Sequence, residues 1–348
     1  MKIKKLLMIF VFFALLLVGS LNAQFGGGSG TEANPYRIYT KSHMGELADS
    51  VENSSSNNSI TGTNWSKNKY FLLMNDITDS VRKMIGGFRN PYICFQGTFD
   101  GNNKKITLAI QEKNLCVDVG LFTQTMFSYI HNLIVDGYVI YEKNTNLSCG
   151  YTGSIVGLND RDGKISYCIN RSNIISSSVC TGGVVGHNEG IVSNCYNFGN
   201  IIHRGDLDIA IVGGIAGHNY GLIDNSQNSG NIIGTTFVGG IVGLLEGYTS
   251  EISYCINIGT VEANSIVGGI VGSCDNTYRS TYNSVNSGLV IGKDIVGGIM
   301  GRCFGEVKNC LNTGAVKGNT KWGCIVGEND GGTIINCYYD KQVCGGGE

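Results

Sequence analysis

From Gly153 onward short apolar pairs alternate with glycine, asparagine and serine, and no stretch between turn residues is long enough for a helix of ordinary length. Strands must therefore carry this part of the chain. Seven segments read Gly-x-Ile-Val-Gly or a near variant, at 153–157, 182–186, 213–217, 239–243, 268–272, 297–301 and 323–327, a spacing of 26 to 31 residues. Downstream in each unit a second motif, Cys/Ser-x-Asn-x-Gly, stands at 195–199, 226–230, 255–259, 284–288 and 310–314, and in part in the first and last units. A unit of this length cannot bury its apolar residues alone, so neighbouring units must stack. Each offers up to three strands: the Ile-Val pair, the aliphatic residue three before Cys/Ser (Ile165, Val192, Ile223, Ile252, Val307, Ile334), and the one after the later Gly (Ile201, Ile232, Val261, Val290, Val316). Three short strands per unit predict an all-β chain, one coil per unit of a right-handed parallel β-helix, rising about 4.8 Å per coil. The period leaves open which member of each Ile-Val pair points inward.

Two positions predict internal ladders. Asn170, Asn197, Asn228, Asn257, Asn286 and Asn312 share one place in the repeat, where each amide can donate to one coil and accept from another; a sugar-binding row of amides is the functional alternative. Cys168, Cys195, Cys255, Cys310 and Cys337 share another with Ser226 and Ser284. Since Ser replaces Cys there, a small buried residue explains the position better than disulfide pairing, although 13 cysteines in an exported chain would otherwise suggest a disulfide framework. Cys274 and Cys303 also share a place one coil apart, and parallel Cβ vectors favour stacked thiols over a bond.

The first 150 residues are less regular. Lys2, Lys4 and Lys5 precede an apolar run at 6–18, and Ala23 offers a small residue for cleavage, so 1–23 reads as a secretory signal peptide, too short for a membrane span. Residues 24–34 read as a mobile Gly-rich lead-in. Over 35–150 a cap and irregular first coils are expected, with Ser42 as N-cap of a short helix whose Met44, Leu47, Ala48 and Val51 keep a helical spacing. Strands are expected at 70–74 and 106–110, and an irregular early repeat at 130–137. The seven regular units occupy 151–342, and 343–348 reads as an uncapped tail, from which the natural gene is expected to continue into a cap, a further domain or an attachment signal.

Net charge −2 without a basic block argues against nucleic acid as the partner. Candidate metal ligands are few. His187 and His218 share a position in Gly-His-Asn, where they are expected as stacked, exposed turn residues, a poor zinc site without further ligands. Asp160, Glu189, Glu246, Asp275 and Asp330 form a broken carboxylate row, interrupted by Tyr220 and Phe304, that is the candidate for calcium or for paired-carboxylate glycoside hydrolysis. Solvated turn acids are the simpler reading of that row. Neither a catalytic residue nor a cofactor is implied.

The segments Gly183-Val184-Val185-Gly186, Gly214-Ile215-Ala216-Gly217, Gly240-Ile241-Val242-Gly243, Gly269-Ile270-Val271-Gly272 and Gly298-Ile299-Met300-Gly301 resemble the GLUG-motif repeat family of bacterial secreted and surface proteins. Ser154 and Cys324 depart from the opening Gly in the first and last units. Residues 30–36, 74–77 and 95–102 are similar to segments that usually precede such arrays. The resemblance implies a secreted or surface protein, often adhesive, sometimes an accessory region beside a protease. The zinc peptidase activity of some carriers is not implied, because His-Glu-x-x-His is absent. The leading expectation is a non-catalytic β-helix that presents Tyr196, Phe198, Tyr220, Trp322, Tyr338 and Tyr339 to a glycan or protein partner. The alternative is a polysaccharide-degrading enzyme, a role that fold alone does not confer.

Overall fold

The computed structural model describes residues 25–54, 64–87, 93–113, 116–142, 150–205, 209–248 and 250–344. The expected signal peptide, the segment 55–63 of the Ser/Asn-rich loop and the final residues 345–348 lie outside the described residues. These residues form a parallel β-solenoid of about nine turns, with one short helix among them.

One coil consists of the strands Cys180–Gly182, Val185–Asn188, Ile191–Ser193, Tyr196–Asn197 and Ile201–His203. Each pairs in parallel with its counterpart in the next coil: Thr181 with Val212, His187 with His218, Val192 with Ile223, Asn197 with Asn228 and Ile201 with Ile232. The described strands collect into four sheets of 11, 8, 16 and 7 strands, so the coil has four faces where the sequence suggested three strands.

The extra face comes from the Gly-rich motif, which is a corner and not one strand. In the second unit one strand ends at Gly182 and the next begins at Val185. Val184 and Val185 are both fully buried, which answers the orientation question: the chain turns inside the pair, so both side chains enter the core. In the middle units the opening glycine of the tetrad makes a close approach, whereas the first unit fits the small Ser154 at this place. A Cβ on Gly183 would stand 2.6 Å from Cγ of Asn197, and one on Gly214 would stand 2.5 Å from Cγ of Asn228.

Those amides form a continuous chain. The Nδ2 of Asn170 donates to Oδ1 of Asn197 at 2.7 Å, and the relay continues to Asn228, Asn257, Asn286 and Asn312 at 2.7 to 2.8 Å. All six side chains are inaccessible to solvent, a state a polar amide tolerates only when its donors and acceptors are paired. A second, shorter relay joins Asn159, Asn188 and Asn219 at 2.8 and 2.7 Å. It stops where Leu245 and then Cys274 take the register.

The Cys/Ser position has its own local reason. The residue before it holds a positive φ in every unit: Tyr167, Asn194, Asn225, Tyr254, Asn283, Asn309 and Asn336 lie between 44° and 54°, a region Asn enters more readily than most residues. The side chain that follows folds back onto the carbonyl two residues earlier. Cys195 Sγ donates to Ser193 O at 3.3 Å and Ser226 Oγ to Asp224 O at 2.9 Å, so hydroxyl and thiol serve the same contact. Cys168, Cys195, Cys255, Cys310 and Cys337 are free, as are Cys274 and Cys303.

Both ends depart from expectation. The helix spans Lys41–Glu52 and buries Met44, Leu47, Ala48 and Val51, but its N-cap is Thr40, whose Oγ1 accepts from His43 N at 3.3 Å. Ser42 lies inside the first turn. The supposedly mobile lead-in is packed: Phe25 is buried against Tyr36 and Phe71 at ring separations of 5.0 and 5.9 Å, and its N–H donates to Glu46 Oε2 at 3.1 Å. At the other end a disulfide joins Cys324 to Cys344, with 5.8 Å between Cα atoms. Part of the segment read as an uncapped tail is thereby tied to the last regular unit, and Cys344 is buried.

Candidate functional site

The carboxylate row lies where the chain leaves the 8-stranded sheet, because every coil makes its next turn there. Stacking brings Glu189, Glu246 and Asp275 to one flank together with Tyr220, Arg161 and Arg279, around an open groove of about 640 Å³. Asp160 and Asp330 are outside it; Asp330 instead pairs with Arg302 at 3.5 Å.

Each groove acid is already engaged by the protein. Glu189 meets Arg161 Nε at 3.2 Å and His187 Nε2 at 3.5 Å, Glu246 Oε2 accepts from His218 Nε2 at 2.8 Å, and Asp275 pairs with Arg279. The Arg279 side chain is 4% exposed and its Nε donates to Gly247 O at 2.8 Å, which fixes the groove floor. The His187 contact and then Arg161 hold Glu189 below the usual carboxylate range. Burial pushes Asp275 up, and the neighbouring Glu246 adds to this against the pull of Arg279. Glu246 goes the other way, since burial is outweighed by contacts with Tyr220, His218 and Asp275. Glu246 and Asp275 thus shift in opposite directions because each acts on the other across the groove. With cations and imidazoles already paired to them, the acids do not form the all-oxygen shell calcium takes.

The histidines correct the sequence reading most sharply. His187 and His218 lie within strands Val185–Asn188 and Ala216–Asn219, are 6% and 9% exposed, and are not turn residues. Their outward faces are covered by tyrosines, Tyr151 stacking on His187 at 4.7 Å and Tyr220 lying 4.7 Å from His218. The two rings meet edge to face, with centroids 5.0 Å apart and planes at 89°. Cys180, on the adjoining strand, completes a buried group in which one ligand-type atom from each of the three residues lies within 4.8 Å of the others. Burial pushes its thiol well above the ordinary range. Cys180 went unnoticed in the sequence because it is outside the Cys/Ser series. The signal was there, since its position holds Tyr151, Ile211, Phe237, Ile266 and Ile295 in other coils.

The aromatic residues expected to make one binding flank do not. Tyr220 alone lines the groove; Tyr196 is half-buried on another face, Phe198 is 48% exposed beneath Arg171, and Trp322, Tyr338 and Tyr339 belong to the last coil. Tyr248, 83% exposed at the groove, was missed because it sits in an insertion between repeat motifs. A second groove of about 480 Å³ runs along the 11-stranded sheet beside Phe127, Tyr129 and Tyr167.

The family model described as "The GLUG motif" matches residues 177–202, the coil that contains Cys180, His187 and the amide Asn197. The chain carries the GLUG motif. A solved structure from Bacteroides ovatus, described as a "putative immunoglobulin A1 protease", is similar over 91% of this chain and 87% of its own, with TM-score 0.55 and 19% identity. At that identity the likeness is one of fold. No curated protein matches the sequence significantly. The GLUG tetrad at 183–186 is the glycine corner described above, and the in-register pairing places the tetrads of the other units at the same corner. Among the described residues no helix is long and apolar enough to cross a membrane.

Proposed function

We propose that this GLUG-repeat chain is a non-catalytic, exported ligand-binding protein and that its ligand is a glycan taken by the flank groove. The observation that supports this reading is the makeup of the groove: the solvent-facing ring of Tyr248 and the half-buried Tyr220 beside fixed carboxylates and guanidinium groups. An aromatic face offers a sugar an apolar surface at little entropic cost, while carboxylate and guanidinium groups pair with hydroxyls in a fixed geometry. The acids are held by Arg161, Arg279 and the two histidines, so the rigid scaffold presents them without needing to reorganise. Export rests on the signal-peptide reading of 1–23.

The test is a glycan array probed with the chain from residue 24, wild type against Tyr248→Ala. Tyr248 is exposed enough that its removal leaves the fold alone, and loss of an aromatic anchor should weaken retained glycans about 10-fold or more. Retention of no glycan, or retention by both Tyr248→Ala and Arg161→Ala equal to that of the wild type, would refute the reading.

A further inference from the structure

In a solenoid every position carries its own control, because the same place recurs in each coil. The place held by His187 and His218 is Leu158 in the coil before and Leu244 in the coil after, and Ser273 beyond. The fold therefore does not ask for imidazole here. The place held by Cys180 is aromatic or aliphatic in the other coils from Tyr151 to Ile295. Three departures from the repeat, drawn from two neighbouring coils and two sheets, converge on one buried spot.

The contacts of the two rings point the same way. Each ring turns Nε2 toward a groove acid, His218 to Glu246 at 2.8 Å and His187 to Glu189 at 3.5 Å. This is the outer-shell arrangement in which a carboxylate fixes the tautomer of a metal-bound imidazole, leaving the lone pair on the other nitrogen. The Nδ1 of His187 is that other nitrogen, and it is buried with no hydrogen-bond partner. A buried acceptor left unpaired costs free energy, which a bound cation would relieve.

We infer that Cys180, His187 and His218 form a binding site for a single thiophilic divalent cation of the zinc class, roofed by Tyr151 and Tyr220 and backed by Glu189 and Glu246. A thiol with two imidazoles is a donor set that favours zinc over calcium or magnesium. Tetrahedral zinc with bonds of about 2.0 to 2.3 Å sets its donor atoms roughly 3.4 to 3.6 Å apart. The present spread, within 4.8 Å, is roughly 1 Å wider than that, a gap on the scale of a side-chain adjustment. Binding exchanges the thiol S–H for an S–metal bond and releases one proton to solvent. The cation would join two successive coils behind the groove, and its carboxylate backing couples it to the groove wall.

The experiment uses the chain from residue 24, freed of metal by chelation and titrated with Co²⁺. One equivalent should bind, with a thiolate-to-cobalt charge-transfer band and a raised melting temperature, and Zn²⁺ should displace it. Cys180→Ile, which copies Ile211, should abolish the band. His187→Leu and His218→Leu, which copy Leu158 and Leu244, should each weaken binding at least 10-fold while circular dichroism stays unchanged. Cys195→Ser, at a position where Ser226 is already present, should leave the band intact. Absence of a thiolate band in the wild type, a band that survives in Cys180→Ile, or undiminished affinity in both His187→Leu and His218→Leu would overturn the inference.

Discussion

Replacing Asn228 with Leu tests the ladder at its centre. The Asn228 amide donates to Asn257 Oδ1 at 2.8 Å and to Gly230 O at 2.9 Å, and its oxygen accepts from Asn197 Nδ2 at 2.7 Å and from Gly230 N at 3.2 Å. Leucine has nearly the same shape and none of these functions. Four polar groups therefore lose a partner, in surroundings that water does not reach. An isolated buried group left unpaired costs about 1 to 3 kcal/mol, so even at the lower bound the substitution should destabilise by about 4 kcal/mol. The total is several-fold that of one unpaired group because the amide serves two coils as well as its own turn. For a chain of this size about 2 °C is lost per kcal/mol, giving a fall of about 8 °C. Thermal unfolding followed by circular dichroism reads it, with hydrogen exchange locating the opening to the coils on either side of Asn228. Asn200 is the control: its exposed Oδ1 accepts only at the rim, from Asn231 N at 3.0 Å, and Asn200→Ala should cost about 1 kcal/mol or less. A melting temperature for Asn228→Leu within 2 °C of wild type, or equal to that of Asn200→Ala, would refute the reasoning.

Cys195→Ser should change stability by less than about 1 kcal/mol, because the serines at this position make the same contact to the carbonyl two residues back. A thiol titration of the same native proteins should register Cys337, which is partly exposed, before the buried Cys168, Cys195, Cys255 and Cys310; rapid native labelling of all five would contradict the packing. Acid should also act through His131, which burial holds below its ordinary value despite Asp100 at 3.5 Å. The unfolded chain then takes up this proton first, so the contribution is full above about pH 6.5 and is lost as pH falls below it. His131→Gln should flatten that part of the stability–pH curve, and an unchanged acid limb would count against it.

The repeat period, the stacking, the amide series and the Cys/Ser series were legible in the sequence because each depends on one residue type recurring at one place. Every coil repeats the same local problem, and a small residue or an amide solves it in the same way each time. The N-terminal helix was legible too, from the spacing of Met44, Leu47, Ala48 and Val51, although Thr40 and not Ser42 caps it. Other features needed the fold. The fourth face depends on a corner inside an apolar pair, and glycine spacing reads the same whether the chain runs straight or turns there. His187 looked like a turn residue, and only the register of neighbouring coils shows Tyr151 and Tyr220 covering it. Cys180 stands seven residues before His187 and 38 before His218. Their meeting is set by how far each coil travels before it returns, a length that varies from unit to unit and that only the stacked backbone resolves.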